Sequence, residues 1–303
     1  MSKKETFKVE ILDTTLRDGE QTSGVSFSSA EKLSIARFLL DSLKVDRVEV
    51  ASARVSDGEF ESVLEIAEWA KSNGYLEKVE ILGFVDGGKS LKWIQDSGCK
   101  VVNLLAKGSA RHVELQLRKS VEEHIQEVKE SILMAHEMGL LVNLYLEDWS
   151  NGMTNSKEYI FQFLDEVKLL PVERFMLPDT LGVLNPFSTF EYCQEMVQRY
   201  PSLRFDFHAH NDYDLAVANV MSAVRAGVQG IHTTVNGLGE RAGNSPLTSV
   251  LAVLHDQLGV KTTIQEDKMY QLSKLVEMYS GVRIPNNKPI IGDNVFTQCA
   301  GVH

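Results

Sequence analysis

Arg204-Phe205-Asp206-Phe207-His208-Ala209-His210-Asn211-Asp212 reads as a short buried strand that runs straight into two histidines one residue apart. Residues i and i+2 of a strand point to one face, so His208 and His210 aim their imidazoles the same way. Two neutral imidazoles converging at a strand end are a common pair of divalent-metal ligands. An isolated H-x-H is nevertheless more often two ordinary polar residues on a loop. The decision rests on what the rest of the chain brings to the same place.

On both sides of this stretch, short β-branched runs alternate with amphipathic stretches. Strands are expected at Val9–Asp13, Arg47–Ala51, Val79–Phe84, Val101–Leu105, Leu141–Leu146, Arg174–Leu177, Arg204–His208 and Gly230–Val235. Helical patterns fill the gaps. In the first, Ser29–Leu43, Ser28 and Glu31 form a capping box and Ala36, Leu39, Leu40 and Leu43 an apolar stripe. Gly74, Gly98, Gly139, Gly227 and Gly259 follow helical stretches, where a left-handed residue is wanted. Pro186 and Pro246 are expected in first helical turns. Eight strands each followed by a helix predict an α/β chain closed into a (β/α)₈ TIM barrel. An open doubly wound sheet is disfavoured because no Gly-x-Gly-x-x-Gly turn follows the first strand. The barrel domain is assigned to residues 1–283, and 284–303, starting Ile284-Pro285-Asn286-Asn287, reads as an exit segment.

Bulk properties narrow the function. The chain has 303 residues, 43% hydrophobic and 24% charged, enough for a full soluble core. A formal charge of −11 argues against nucleic-acid or anionic-membrane partners, which need a basic face. Cys99, Cys193 and Cys299 are scattered and odd in number, so free thiols in a reducing compartment are expected. No apolar leader or membrane-length run is present in the sequence, which makes the cytoplasm the default.

In a TIM barrel, polar residues at the C-terminal strand ends build the active site. Strand one delivers Arg17 and Asp18, strand five Tyr145, Glu147 and Asp148, and strand six Thr180. Strand seven delivers the two histidines, and strand eight the loop Asn236-Gly237-Leu238-Gly239-Glu240-Arg241-Ala242-Gly243-Asn244. Asp18, His208, His210 and the Asn244 carbonyl make a mixed N/O ligand set suited to Zn²⁺, Mn²⁺ or Mg²⁺. Arg17 is either a fork for a substrate carboxylate or keto oxygen, or a strand-end salt bridge. Thr180 is a hydroxyl donor or a helix N-cap. The loop glycines are expected to let backbone approach the metal closely.

Leu16-Arg17-Asp18-Gly19-Glu20-Gln21, with Lys32 following, resembles the first signature of the alpha-isopropylmalate, homocitrate and citramalate synthase family of DRE-TIM metallolyases. Phe205 to Asn219 resembles the second, except that Asp214 stands where glycine is usual. Asn236 to Asn244 is similar to the family's strand-eight loop. The resemblance implies a metal-dependent Claisen condensation of acetyl-CoA with a 2-oxo acid, with Asp18, His208, His210 and Asn244 as ligands. It implies that Arg17 and Thr180 hold the 2-oxo acid and that Glu147 and His303, of Gly301-Val302-His303, serve acid–base catalysis. It also implies a homodimer.

Which 2-oxo acid is a matter of pocket size. Isopropylmalate synthases typically read Ser-x-Glu-Asp where this chain has Tyr145-Leu146-Glu147-Asp148. Strand periodicity aims Tyr145 into the pocket with Glu147, and Leu82 and Leu105 complete a small apolar wall. Pyruvate fits such a space better than branched 2-oxoisovalerate, and Glu49 to Arg54 is also similar to citramalate synthases. The expected reaction is therefore citramalate formation for isoleucine biosynthesis. A 2-isopropylmalate synthase of leucine biosynthesis and a non-catalytic 2-oxo-acid-binding barrel are the alternatives. Hydroxymethylglutaryl-CoA lyase is disfavoured because Gly239-Glu240-Arg241-Ala242 lacks that family's cysteine. Relatives continue past the histidine of Gly301-Val302-His303, so the expectation is a lidless barrel that binds metal and 2-oxo acid but turns over slowly.

Overall fold

The computed structural model describes residues 8–297; His303 and Cys299, both singled out by sequence, lie outside them. Eight parallel strands close on one another in sequence order, β1 pairing with β8. They are β1 (Glu10–Asp13), β2 (Arg47–Ser52), β3 (Val79–Phe84), β4 (Val101–Lys107), β5 (Leu141–Glu147), β6 (Arg174–Asp179), β7 (Phe205–Ala209) and β8 (Gly230–Thr233). All eight expected strands are present. β4 and β6 each run two residues further than expected, which carries Lys107 and Asp179 to the rim.

The Ser28/Glu31 capping box forms as read. The helix it starts stops at Arg37 and continues as a wider π-helical turn, Phe38–Leu43, ended by left-handed Lys44. The wider turn still buries Leu39, Leu40 and Leu43 completely. Pro186 opens the helix Pro186–Arg199, whereas Pro246 sits one position before Leu247–Ala252, as its N-cap. All five post-helical glycines adopt positive φ.

Alternation along the strands divides two environments. On β7, Phe205 and Phe207 face the helix layer and join the main apolar core, while Asp206 and His208 point inward. β5 repeats this with Val142, Leu144 and Leu146 outward and Asn143, Tyr145 and Glu147 inward. The barrel interior is therefore polar where most barrels stack Val, Ile and Leu. Arg47, Glu49, Glu80, Asn103, Asn143, Asp206 and His232 are all buried there. Burial is tolerated because most of their polar atoms pair with one another, Arg47 Nε and Glu80 Oε2 excepted. Arg47 donates to Glu80 at 3.0 Å and to Asp206 at 2.5 Å, and Asn143 donates to Asn103 at 2.8 Å. Among the described residues, Cys99 and Cys193 are free, buried thiols, and no helix is long and apolar enough to cross a membrane.

Candidate active site

The site lies at the C-terminal rim and is built from β1, β5, β6, β7 and the β8 loop. After β1 the chain turns so that the amides of Asp18 and Gly19 both donate to Thr14 O, at 2.8 and 3.1 Å. Val235 N donates to the Thr15 hydroxyl at 2.8 Å, tying this turn to the β8 loop. Asp18 is thereby placed beside the two histidines of β7.

Asp18, His208 and His210 are buried, and their ligating atoms lie within 4.8 Å of one another. His208 Nε2 is 3.1 Å from Asp18 Oδ2, His210 Nε2 is 3.8 Å from it, and the two Nε2 atoms are 3.3 Å apart. Ligands held about 2.0–2.2 Å from one divalent ion are separated by roughly 3–3.5 Å, so this triangle fits an ion. Two buried acceptor oxygens, Asp18 Oδ1 and Asn244 Oδ1, have no hydrogen-bond donor. Unsatisfied buried acceptors of this kind are what a cation would complete.

Asn244 is held next to His210: its backbone bridges to His210, and its Nδ2 donates to Leu238 O at 3.1 Å. That leaves the carbonyl oxygen free. The loop glycines have a more local task than the sequence suggested. Gly239, with φ +153°, leaves space that the Asn244 carboxamide occupies, and Gly243, with φ +87°, admits the carbonyl of Gly237. They let the loop close tightly around Asn244.

Electrostatics suits a cation site. Burial opposes the charge on Asp18, but Arg17 and the His208 hydrogen bond hold its carboxyl well below the usual carboxylate range. Burial, with neighbouring His208, lowers His210 to about 4, and burial also lowers His208. Both imidazoles are neutral near pH 7, the form that ligates metals.

Arg17 makes a strand-end salt bridge, one of its two sequence readings, and also lines the cavity. Its Nε donates to Glu49 Oε2 at 2.5 Å, and its guanidinium lines the cavity beside Asp18. Glu49 accepts in turn from Asn103 at 2.7 Å. Burial works against charge on Arg17, but Glu49 and Asp18 keep it protonated.

The cavity above these groups has a volume of about 250 Å³. Leu82, Leu105, Tyr145, Glu147 and Thr180 line it, as do Arg17, Asp18 and the two histidines. Leu82, Tyr145 and Leu105 pack with Leu12 and Met176 in an apolar cluster separate from the main core. Thr180 is not a helix cap: its hydroxyl accepts from Asp148 N at 2.9 Å, which leaves its own hydrogen to donate. Glu147 contacts Lys107 Nζ, a neighbour across the β4–β5 ladder. Arg241 binds Asp212 at 2.8 Å and Thr180 O at 2.8 Å, joining the β6, β7 and β8 loops.

Glu49, Lys107 and His232 were not singled out by the sequence reading. Each is a charged or polar residue at an inward position of its strand, alternating with residues that face the helices. That parity was the available signal.

The pattern of the HMGL-like family matches residues 8–276, and the chain belongs to that family. A putative (R)-citramalate synthase CimA of Methanopyrus kandleri is 37% identical over 298 residues, covering 98% of this chain and 57% of the relative. A 2-isopropylmalate synthase of Sulfurisphaera tokodaii is 34% identical over 297 residues, covering 98% of this chain and 75% of the relative. The chain thus spans a little over half the length of the first of these relatives. An HMG-CoA lyase structure from Acenitobacter baumannii superposes with a TM-score of 0.77 at 18% identity, covering 99% of this chain and all of that one. At that identity it supports the barrel fold alone.

Proposed function

Since this chain belongs to the HMGL-like family, we propose that it is the catalytic barrel of an acetyl-CoA-dependent condensing enzyme, an acyltransferase whose 2-oxo acid is pyruvate and whose product is citramalate. The observation that carries the substrate reading is the small cavity in which Tyr145, Leu82 and Leu105 face the Asp18/His208/His210 triangle. Polar groups on one side would orient the carboxylate and keto oxygen, and the apolar wall leaves room for a methyl group.

A divalent ion held by Asp18, His208, His210 and Asn244 would supply Lewis-acid polarisation of the keto group. Arg17, fixed by Glu49, would stabilise the oxygen on which negative charge develops. The free hydroxyl hydrogen of Thr180 would donate to the substrate carboxylate. Glu147, beside Lys107, belongs to the proton-transfer group, as does His303. A base removes one proton from the acetyl methyl, the methyl carbon bonds to the keto carbon, and the keto oxygen gains a proton. Water then cleaves the thioester and coenzyme A leaves as the thiol. We assign the metal and 2-oxo-acid sites to residues 1–283 and His303 to the segment that follows, in a homodimeric, cytoplasmic protein of isoleucine biosynthesis.

The competing reading is a 2-isopropylmalate synthase acting on 2-oxoisovalerate, since a relative of that name aligns over nearly the whole chain. A difference of 37% against 34% identity does not choose between them; the cavity wall favours pyruvate. Incubation with acetyl-CoA and each acid, followed by thiol release, tests the proposal. Release with pyruvate supports it, and release with 2-oxoisovalerate alone overturns it.

A further inference from the structure

Below the cavity, Tyr145 is tied to a residue with no part in the chemistry above. Its hydroxyl lies 3.0 Å from His232 Nδ1, with the rings edge to face at 85°. On the other side of the imidazole, His232 Nε2 is 3.3 Å from Asp206 Oδ2. Asp206 is itself fixed, by Arg47 at 2.5 Å and Arg174 at 3.5 Å.

Asp206 is paired with two guanidinium groups and so acts as acceptor towards His232, which carries its proton on Nε2 and offers a lone pair at Nδ1. The Tyr145 hydroxyl is therefore the donor of the pair, and its hydrogen points to His232, away from the cavity. Gly230 protects this arrangement, because a Cβ there would occupy the space of the Asp206 carboxylate. The apolar cluster of Leu12, Leu82, Met176 and Leu105 holds the ring by contact. Such contacts fix a plane less firmly than a directional bond does.

We propose that His232 is a positioning residue that sets the length of 2-oxo acid the cavity accepts, by anchoring the Tyr145 hydroxyl so that the ring stands as an immobile wall. The proposal rests on the reading of the cavity as a 2-oxo-acid site. Loss of the anchor frees the ring to tilt, and the cavity then admits one more methylene, which turns 2-oxobutyrate into an acceptable ligand.

The test uses His232→Phe, which keeps volume but removes the acceptor, His232→Gln, which retains an acceptor oxygen, Tyr145→Phe and the double variant H232F/Y145F. Affinities for pyruvate and 2-oxobutyrate are measured by calorimetry in the presence of Mn²⁺, with folding checked by circular dichroism. The Tyr145 hydroxyl proton is followed separately by NMR in carbon-labelled tyrosine protein and assigned by its loss in Y145F. The ratio of 2-oxobutyrate to pyruvate affinity should rise about tenfold in H232F and in Y145F, the scale of one methylene. The double variant should go no further than either, and H232Q should stay within about threefold of wild type. An unchanged ratio in folded H232F, or a double variant whose ratio is the product of the single effects, overturns the proposal. Should the wild-type chain bind neither acid, the functional reading fails by itself. The anchor is then judged on the hydroxyl proton, whose persistence in H232F refutes it and whose loss there supports it.

Discussion

Arg17 and Glu49, 32 residues apart in the chain, meet at 2.5 Å inside the barrel. The pair sets the plane of the guanidinium beside Asp18, and Asn103 holds Glu49 from behind. Glu49→Gln keeps the shape but removes the charge that orients Arg17. Steady-state kinetics should give a kcat lowered by up to about 100-fold, the scale of a small misplacement of a reacting group, with KM for the 2-oxo acid changed far less. An unaltered kcat would remove Glu49 from the account.

Tyr145 occupies the position that the substrate argument depends on. Tyr145→Ser removes the ring from the cavity wall and should raise kcat/KM for 2-oxoisovalerate relative to pyruvate by about tenfold or more. A ratio indistinguishable from wild type in competition assays would mean that another residue sets the size limit.

The Asp18/His208/His210 triangle predicts thermal stabilisation by divalent ions. At about 100 times the dissociation constant, Mn²⁺ should add roughly 2.7 kcal/mol of stability, read as a rise in Tm of about 5 °C or more. Asp18→Asn should abolish most of that rise, because it removes the charged ligand. Equal shifts in both proteins would place the ion elsewhere.

Asp13, at the end of β1, is fully buried, with Oδ1 accepting from Thr15 N at 3.0 Å and Oδ2 without a partner. Burial pushes its carboxyl up to about 7, partly offset by the Thr15 hydrogen bonds. Between an unfolded value of about 4 and this folded value, the native state binds the extra proton. Stability contributed by Asp13 is therefore present below about pH 4 and lost as pH rises towards 7. Asp13→Asn should be more stable than wild type at pH 8 relative to pH 5, by an amount on the order of a few kcal/mol. Parallel denaturation midpoints for the two proteins from pH 5 to 8 would contradict this.

The barrel was legible because its strands are short, β-branched and evenly spaced, and because period-two alternation carries Asp206, His208 and His210 to one side. Asp18 and Asn244 joined them through the rim argument, since strand ends converge in this fold. The interior network was not legible. Whether Glu49 meets Arg17, Lys107 meets Glu147, or His232 meets Tyr145 depends on strand stagger across the barrel, and sequence fixes parity but not stagger. The same limit applies to the helix that widens at Phe38–Leu43. Its apolar stripe predicts burial, while the wider turn carries no separate mark in the pattern.

The most direct measurement is calorimetric titration of pyruvate and of 2-oxoisovalerate into the Mn²⁺-loaded chain, with a chelator-treated control. The account predicts pyruvate binding that requires the ion, and 2-oxoisovalerate binding weaker by about tenfold or more. Pyruvate binding indifferent to the ion, or 2-oxoisovalerate bound as tightly as pyruvate, would contradict it.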